Sequence, residues 1–221
     1  MIPLRDVIPS RTRPWVTIAL IVLNISVFIY QFALPEELTH AFTEAYGLKW
    51  YAFSSINVVT SMFLHSGLVH LISNMVCLWI FGDNVEDQMG HDRFLIFYLL
   101  AGSTAALAQL WLGVHAQRWP MVGASGAIAG VMGAYLFMFP RSEVHTFIFY
   151  GVVEIPAAVF LPLWFLAQLL GVVDRYQVTG AYDPGIAYWA HIGGFIMGIV
   201  GVFIFRRPER ATVEWWDGAA R

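Results

Sequence analysis

Charge and cysteine are both scarce in this chain. Only 12% of its 221 residues are charged, about half the share of an average soluble domain. The single cysteine, Cys77, excludes an internal disulfide. A net charge of −3 leaves no basic patch that would suggest nucleic acid. No low-complexity tract is present, and no polar stretch is long enough for a second, soluble domain. What is abundant is apolar sequence: 58% of residues are hydrophobic, and the mean hydropathy is +0.65. Water-soluble folds are thereby set aside, and the chain reads as an all-α polytopic membrane protein embedded in a lipid bilayer.

A spanning helix needs about 20 mostly apolar residues. Six runs qualify, some of them short: about 15–34, 67–82, 94–114, 124–140, 152–173 and 186–205. They divide the chain into an N-terminal segment (1–14), a six-helix domain (15–206) and a tail (207–221). The first run is too long for a signal-peptide core and no A-x-A cleavage site follows it, so it is expected to be retained.

Arginine and lysine set the orientation. With the N-terminus inside, the inner segments hold Arg5, Arg11, Arg13, Arg93, Arg141, Arg206, Arg207, Arg210 and Arg221, against Lys49, Arg118 and Arg175 outside. Both termini are then cytoplasmic, and the second, fourth and sixth helices enter from the outer face. The connection 35–66 mixes aromatics with charges and suits the outer interface.

Ionisable groups embedded in lipid are costly, so each is a functional candidate. His70 lies about one turn into the second helix, Ser125 in the first turn of the fourth, and His191 in the second turn of the sixth. Counted from the helix starts, all three share one shallow outer layer. Asn74 follows His70 by four residues and points the same way, about 40° round. Gly126, Gly130 and Gly133 line the fourth helix, and Gly194 and Gly198 the sixth, in patterns that let helix backbones approach closely.

Serine needs a base to become nucleophilic, and a neutral imidazole is one. The anion formed on attack needs fixed donors, which His70, Asn74 and the amides at the start of the fourth helix can supply. No acidic residue is expected at this depth, so the arrangement reads as a dyad.

These residues resemble the rhomboid family of intramembrane serine proteases. His65-Ser66-Gly67-Leu68-Val69-His70-Leu71-Ile72-Ser73-Asn74 is similar to the family's H-x4-H-x3-N, Gly123-Ala124-Ser125-Gly126 to its G-x-S-G, and Ala190-His191-Ile192-Gly193-Gly194 with Gly198 to its A-H-x-x-G-x3-G. Phe81-Gly82-Asp83-Asn84-Val85-Glu86 resembles the turn after the second helix, where the glutamate is structural. The resemblance covers about residues 50–205. It implies a six-helix rhomboid-like bundle with Ser125 as nucleophile and His191 as base. His70, Asn74 and the Ser125 amide would form the oxyanion hole. Helix five and the loop 174–185 would act as a gate, transmembrane proteins would be the substrates, and no cofactor or metal would be needed. Two positions depart from the pattern. Ile56-Asn57-Val58-Val59 stands where some members carry Trp-Arg, and Ala129 stands where some carry a ring that stacks on the imidazole.

Other readings of the same residues remain open. Ser125 alone reads as a helix-packing serine, and position 127 is alanine, so the soluble-hydrolase elbow is not met. His65, His70 and His191 are a possible zinc set, although His65 is about 140° round a helix from His70 and is expected to hydrogen-bond within the first loop. Glu154 reads as opening the fifth helix, and Trp79, Trp111 and Trp164 read as packing or interface anchors. A catalytically silent binder of transmembrane clients and a small transporter are the competing functions. The latter predicts an inverted repeat and a midplane site. The minimal six-helix core suggests a bacterial plasma membrane.

Overall fold

Each apolar run of the sequence contributes a helix, and a small antiparallel sheet packs with the bundle. The computed structural model describes residues 2–113, 119–178 and 186–208. In chain order the elements are β1 (Ile2–Asp6), α1 (Trp15–Ala33), α2 (Glu36–Tyr46), α3 (Ser55–Thr60), α4 (Leu68–Met89), α5 (His91–Leu112), α6 (Ser125–Met138), β2 (Glu143–Ile148), β3 (Gly151–Pro156), α7 (Ala157–Val178) and α8 (Tyr188–Phe205). Five of these helices, α1, α4, α5, α7 and α8, are long and apolar enough to cross a membrane. The shorter α6 has 14 residues, a rise of about 21 Å. Most of the expected loop 174–185 and the tail from 209 onward lie outside the described residues.

α6 is apolar all round because it is buried all round. It packs against α8, α5 and α4, and every residue from Gly126 to Tyr135 is buried. The core around it holds Leu78, Phe81, Phe94, Phe97, Tyr98, Tyr135 and Leu161. α1 and α7 lie at the periphery and turn large apolar side chains outward, among them Ile29, Phe32, Leu163 and Leu170.

The seam between α6 and α8 is backbone against backbone. A Cβ at Gly194 would collide with the Gly126 carbonyl, one at Gly198 with the Gly130 carbonyl, and one at Gly133 with the Phe195 carbonyl. Only residues without a side chain allow this approach, and three successive turns of the pair use it.

The family resemblance implies a turn at residues Phe81–Glu86. They belong instead to the helix, which runs on to Met89 and ends at Gly90 with φ +80°. The helix continues because α1 satisfies these side chains. The Glu86 carboxylate accepts the backbone N–H groups of Val16 (3.0 Å) and Thr17 (2.7 Å) and the Thr17 hydroxyl (2.7 Å). Those amides are the orphan donors of a helix start. Asp87 likewise accepts the Thr12 amide and hydroxyl. The structural role expected of Glu86 is therefore a cap supplied by one helix to another.

The fifth run also divides. Residues 151–156 form β3, so the helix starts at Ala157 rather than near 152, and Glu154 lies in the strand opposite His145. A run of Val, Ile and Gly bounded by Pro156 is ambiguous between strand and helix on pattern alone. β2 pairs on one side with β3 and on the other with β1, with Ile2 opposite Phe147 and Asp6 opposite Val144. Among the described residues this sheet is the one addition to an otherwise helical architecture.

Asp6 ties the sheet to the bundle. Its Oδ2 accepts the Tyr135 hydroxyl (2.6 Å) and the Asn84 side-chain amide (2.9 Å). Burial pushes its carboxyl up to about 7; the Tyr135 hydrogen bond opposes the rise and nearby Asp83 adds to it. A raised carboxyl pKa means that the folded state holds a proton that the unfolded state has released. Stability from this group is therefore full below about pH 4 and is lost as pH climbs through 7. The unfolding midpoint of the detergent-purified protein is expected to fall between pH 5 and pH 8, by no more than about 1.4 kcal/mol per pH unit from this group. Asp6→Asn should flatten that part of the profile, and an unchanged profile would refute the assignment.

Candidate active site

α6 begins where the chain must turn sharply under α4. Gly123 has φ +125°, and a Cβ there would stand 2.7 Å from His70 Nε2. Conformation and space both require glycine at this position. The Gly123 N–H donates to the Ser61 carbonyl (2.9 Å), and Leu48 and Met121 exchange backbone hydrogen bonds. The long connection 35–66 is thus sewn to the segment that leads into Ser125. Within it, the Asn57 side chain donates to the carbonyls of Ala45 (3.2 Å) and Gly47 (2.9 Å). The stretch lacking the Trp-Arg pair is α3 itself, held by Asn57.

Ser125 is the first residue of α6. The first α-helical bond runs from the Ile128 N–H to the Ala124 carbonyl (3.0 Å), so the amides of residues 125–127 are the unpaired donors of a helix start. Ser125 Oγ stands 2.9 Å from His191 Nε2. His191 is the fourth residue of α8 and lies just above the glycine seam. Gln109 of α5 accepts the preceding amide, that of Ala190, at 3.3 Å.

His70 and Asn74 reach the same place from α4. His70 Nδ1 lies 3.0 Å from Ser66 Oγ; with that hydroxyl donating, Nε2 carries the proton and faces Gly123. The buried Asn74 side-chain nitrogen has no hydrogen-bond partner among the described residues and lies 3.8 Å from where a Gly123 Cβ would be. A buried donor without an acceptor is costly, and here it faces the turn that presents Ser125. The structure therefore brings together all four polar side chains singled out from sequence.

His65 does not join them as a ligand. Its backbone N–H donates to Gln31 of α1 (3.3 Å), and its ring stands edge-on to His70 with centroids 5.1 Å apart. These contacts tie it to α1 and α4, beside a backbone interaction with Phe63 inside the first loop. Burial, with His70 adding, holds His65 down at about 4, so it packs as a neutral ring. No three His, Cys, Asp or Glu side chains converge to hold a metal among the described residues.

Two contacts went unread in the sequence. His191 Nδ1 lies 2.8 Å from Gln168 Oε1, and the Trp164 ring is tilted beside the imidazole at 5.7 Å. Both come from α7. Trp164 reads from sequence as packing; its place is against His191. A lone glutamine inside an apolar run was the available signal.

The family model of the rhomboid domain matches residues 50–208. The chain belongs to the rhomboid family. It is 32% identical over 214 residues to the mitochondrial rhomboid protein 1 of Saccharomyces cerevisiae, covering 92% of this chain and 57% of that protein. It is 27% identical over 216 residues to the rhomboid protease AarA of Providencia stuartii (89% and 75%). A shorter match of 81 residues, at 41% identity, joins it to the rhomboid protease GluP of Bacillus subtilis and covers 37% of this chain and 15% of that one. The chain spans about half the length of the first curated relatives it matches, 57% and 46%.

In this rhomboid domain the α6–α8 seam sets the Ser125–His191 separation. Gly198→Leu is expected to force the helices apart and to cost about 1–3 kcal/mol or more, read as a lower unfolding midpoint. Phe203→Ala, on the outward face of α8, should leave the midpoint nearly unchanged. Equal midpoints for both variants would show that the seam does not bear the packing.

Proposed function

We propose that this rhomboid-family membrane protein is an intramembrane serine endopeptidase that cuts peptide bonds in or near transmembrane segments. The observation that carries the reading is the 2.9 Å contact of Ser125 Oγ with His191 Nε2, beside the Asn74 side-chain donor that has no partner among the described residues. Two relatives named as rhomboid proteases support it.

The chemistry follows the geometry. Ser125 Oγ attacks the scissile carbonyl carbon while His191 Nε2 takes its proton. The carbonyl oxygen becomes an oxyanion and is held by the His70 Nε2–H, the Asn74 side-chain N–H and the Ser125 backbone N–H. Collapse breaks the C–N bond, and His191 returns the proton to the leaving amine. Water then attacks the acyl-enzyme; His191 takes a proton from it and restores the serine. Every group this needs is a side chain or amide of the chain itself.

The proposed topology has six crossings with both termini on the inner side. β1 and β2 pair in one sheet, so the chain between them crosses the membrane an even number of times. α1, α4, α5 and α6 supply four, which supports counting the short α6 as a crossing. The site then lies towards the outer face, in line with the arginine bias. The relatives include mitochondrial and bacterial proteins alike, so a bacterial plasma membrane gains no support from them. A silent client-binding protein would have no use for Ser125 and His191 in contact, and a transporter would place its polar groups at the midplane.

The deciding experiment combines cleavage of a model transmembrane substrate with fluorophosphonate labelling of the detergent-purified chain. Wild type should be labelled and active, Ser125→Ala neither, and His191→Ala slower by at least about 100-fold. Cleavage by Ser125→Ala at the wild-type rate would overturn the reading. His70→Ala and Asn74→Ala should each lower the turnover rate by about 10²- to 10³-fold with little change in KM. A loss confined to KM would instead assign them to substrate binding.

A further inference from the structure

We infer that Gln168 is the positioning residue for His191, a neutral third member that sets the tautomer and orientation of the base from α7. The inference rests on the serine-protease reading above and deepens it.

The imidazole has two nitrogens, and only one of its neutral tautomers offers a lone pair at Nε2, towards Ser125. An acceptor on Nδ1 selects that tautomer. Gln168 lies 2.8 Å from Nδ1, and an amide has both a carbonyl and an NH2 end. Its own contacts decide which end faces the ring. Gln168 Nε2 donates to the Trp164 carbonyl (3.2 Å), one turn back along α7. That carbonyl can only accept, so the NH2 must turn to it and Oε1 must turn to His191. Nδ1 therefore holds the proton, and Nε2 is left to take the Ser125 hydroxyl proton.

The surroundings explain why an amide holds this place. Gln168 is buried, and α7 exposes Leu166, Leu169 and Leu170 around it. A buried carboxylate would need strong partners to offset desolvation, whereas a neutral amide costs less to bury. Orientation from α6 is missing, because Ala129 has no ring to lay against the imidazole. α7 supplies it instead: Trp164 and Gln168, at i and i+4, share one face of the helix. One gives His191 a flat wall at 5.7 Å and the other its acceptor.

The test uses the full chain in detergent with 15N-labelled histidine, comparing wild type, Gln168→Met and Gln168→Glu. Met keeps the shape of the side chain without an acceptor; Glu keeps an acceptor but buries a charge. The 15N shifts of His191 should report Nδ1–H in wild type and loss of that preference in Gln168→Met. Fluorophosphonate labelling of Ser125 should fall at least about tenfold in Gln168→Met, with the unfolding midpoint little changed. Gln168→Glu should label faster than Gln168→Met. A purely structural glutamine predicts the opposite order, since buried methionine is tolerated and buried glutamate is not. Wild-type labelling by Gln168→Met, the reverse order of the two variants, or a wild-type His191 protonated at Nε2 would each overturn the inference. If Gln168→Met does not fold, the wild-type tautomer and the Gln168→Glu rate still decide. An unlabelled wild type would sink the protease reading alone, and the tautomer would still test Gln168.

Discussion

Contact between the backbones of α6 and α8 governs much of this molecule. Gly126, Gly130 and Gly133 on one helix and Gly194 and Gly198 on the other let main chain meet main chain along the seam. Lipid gives helices little hydrophobic reason to associate, so close van der Waals packing must supply it. Here the packing has a second effect. Ser125 opens α6 and His191 lies in the first turn of α8, so the separation of Ser125 Oγ and His191 Nε2 is set by main-chain contact within one turn of them. A distance set in this way does not depend on the rotamers of intervening side chains.

Around that seam the other helices each contribute a polar task. α4 brings His70 and Asn74 to the start of α6 and, at its other end, gives Glu86 to the start of α1. α5 caps the first turn of α8 through Gln109. α7 holds the imidazole through Trp164 and Gln168. The pattern answers a constraint of the bilayer: unpaired amides at helix ends and polar side chains in spans need partners from neighbouring helices.

Much of this was legible in the sequence, for physical reasons. Helical spans announce themselves by length and apolarity, and motif spacing placed Ser125, His191, His70 and Asn74 on their helices. What escaped notice depended on distant partners. Ile2–Asp6 carries little strand signal by itself, because its pairing with Glu143–Ile148 crosses most of the chain. Gly151–Pro156 merged into the apolar run that follows it. Phe81–Glu86 resembled a turn because its polar groups had no visible partner until α1 was folded against them. Gln168 looked like one polar residue in an apolar helix, and its meaning lies in a nitrogen of another helix.

The sheet carries an implication for how the protein is made. β1 precedes α1 in the chain, yet its partner β2 follows α6. The strand therefore waits for that partner while α1 to α6 are laid down. Pro3, which has no N–H to donate, and the irregular register between Pro3 and Arg5 make that waiting edge a poor template for stray pairing. The Asp6 carboxyl finds Asn84 on α4 and then Tyr135 on the completed α6 before β2 arrives. Pairing of β1 with β2 is thus a late event in biogenesis, one that can occur only after the serine-bearing helix has been made.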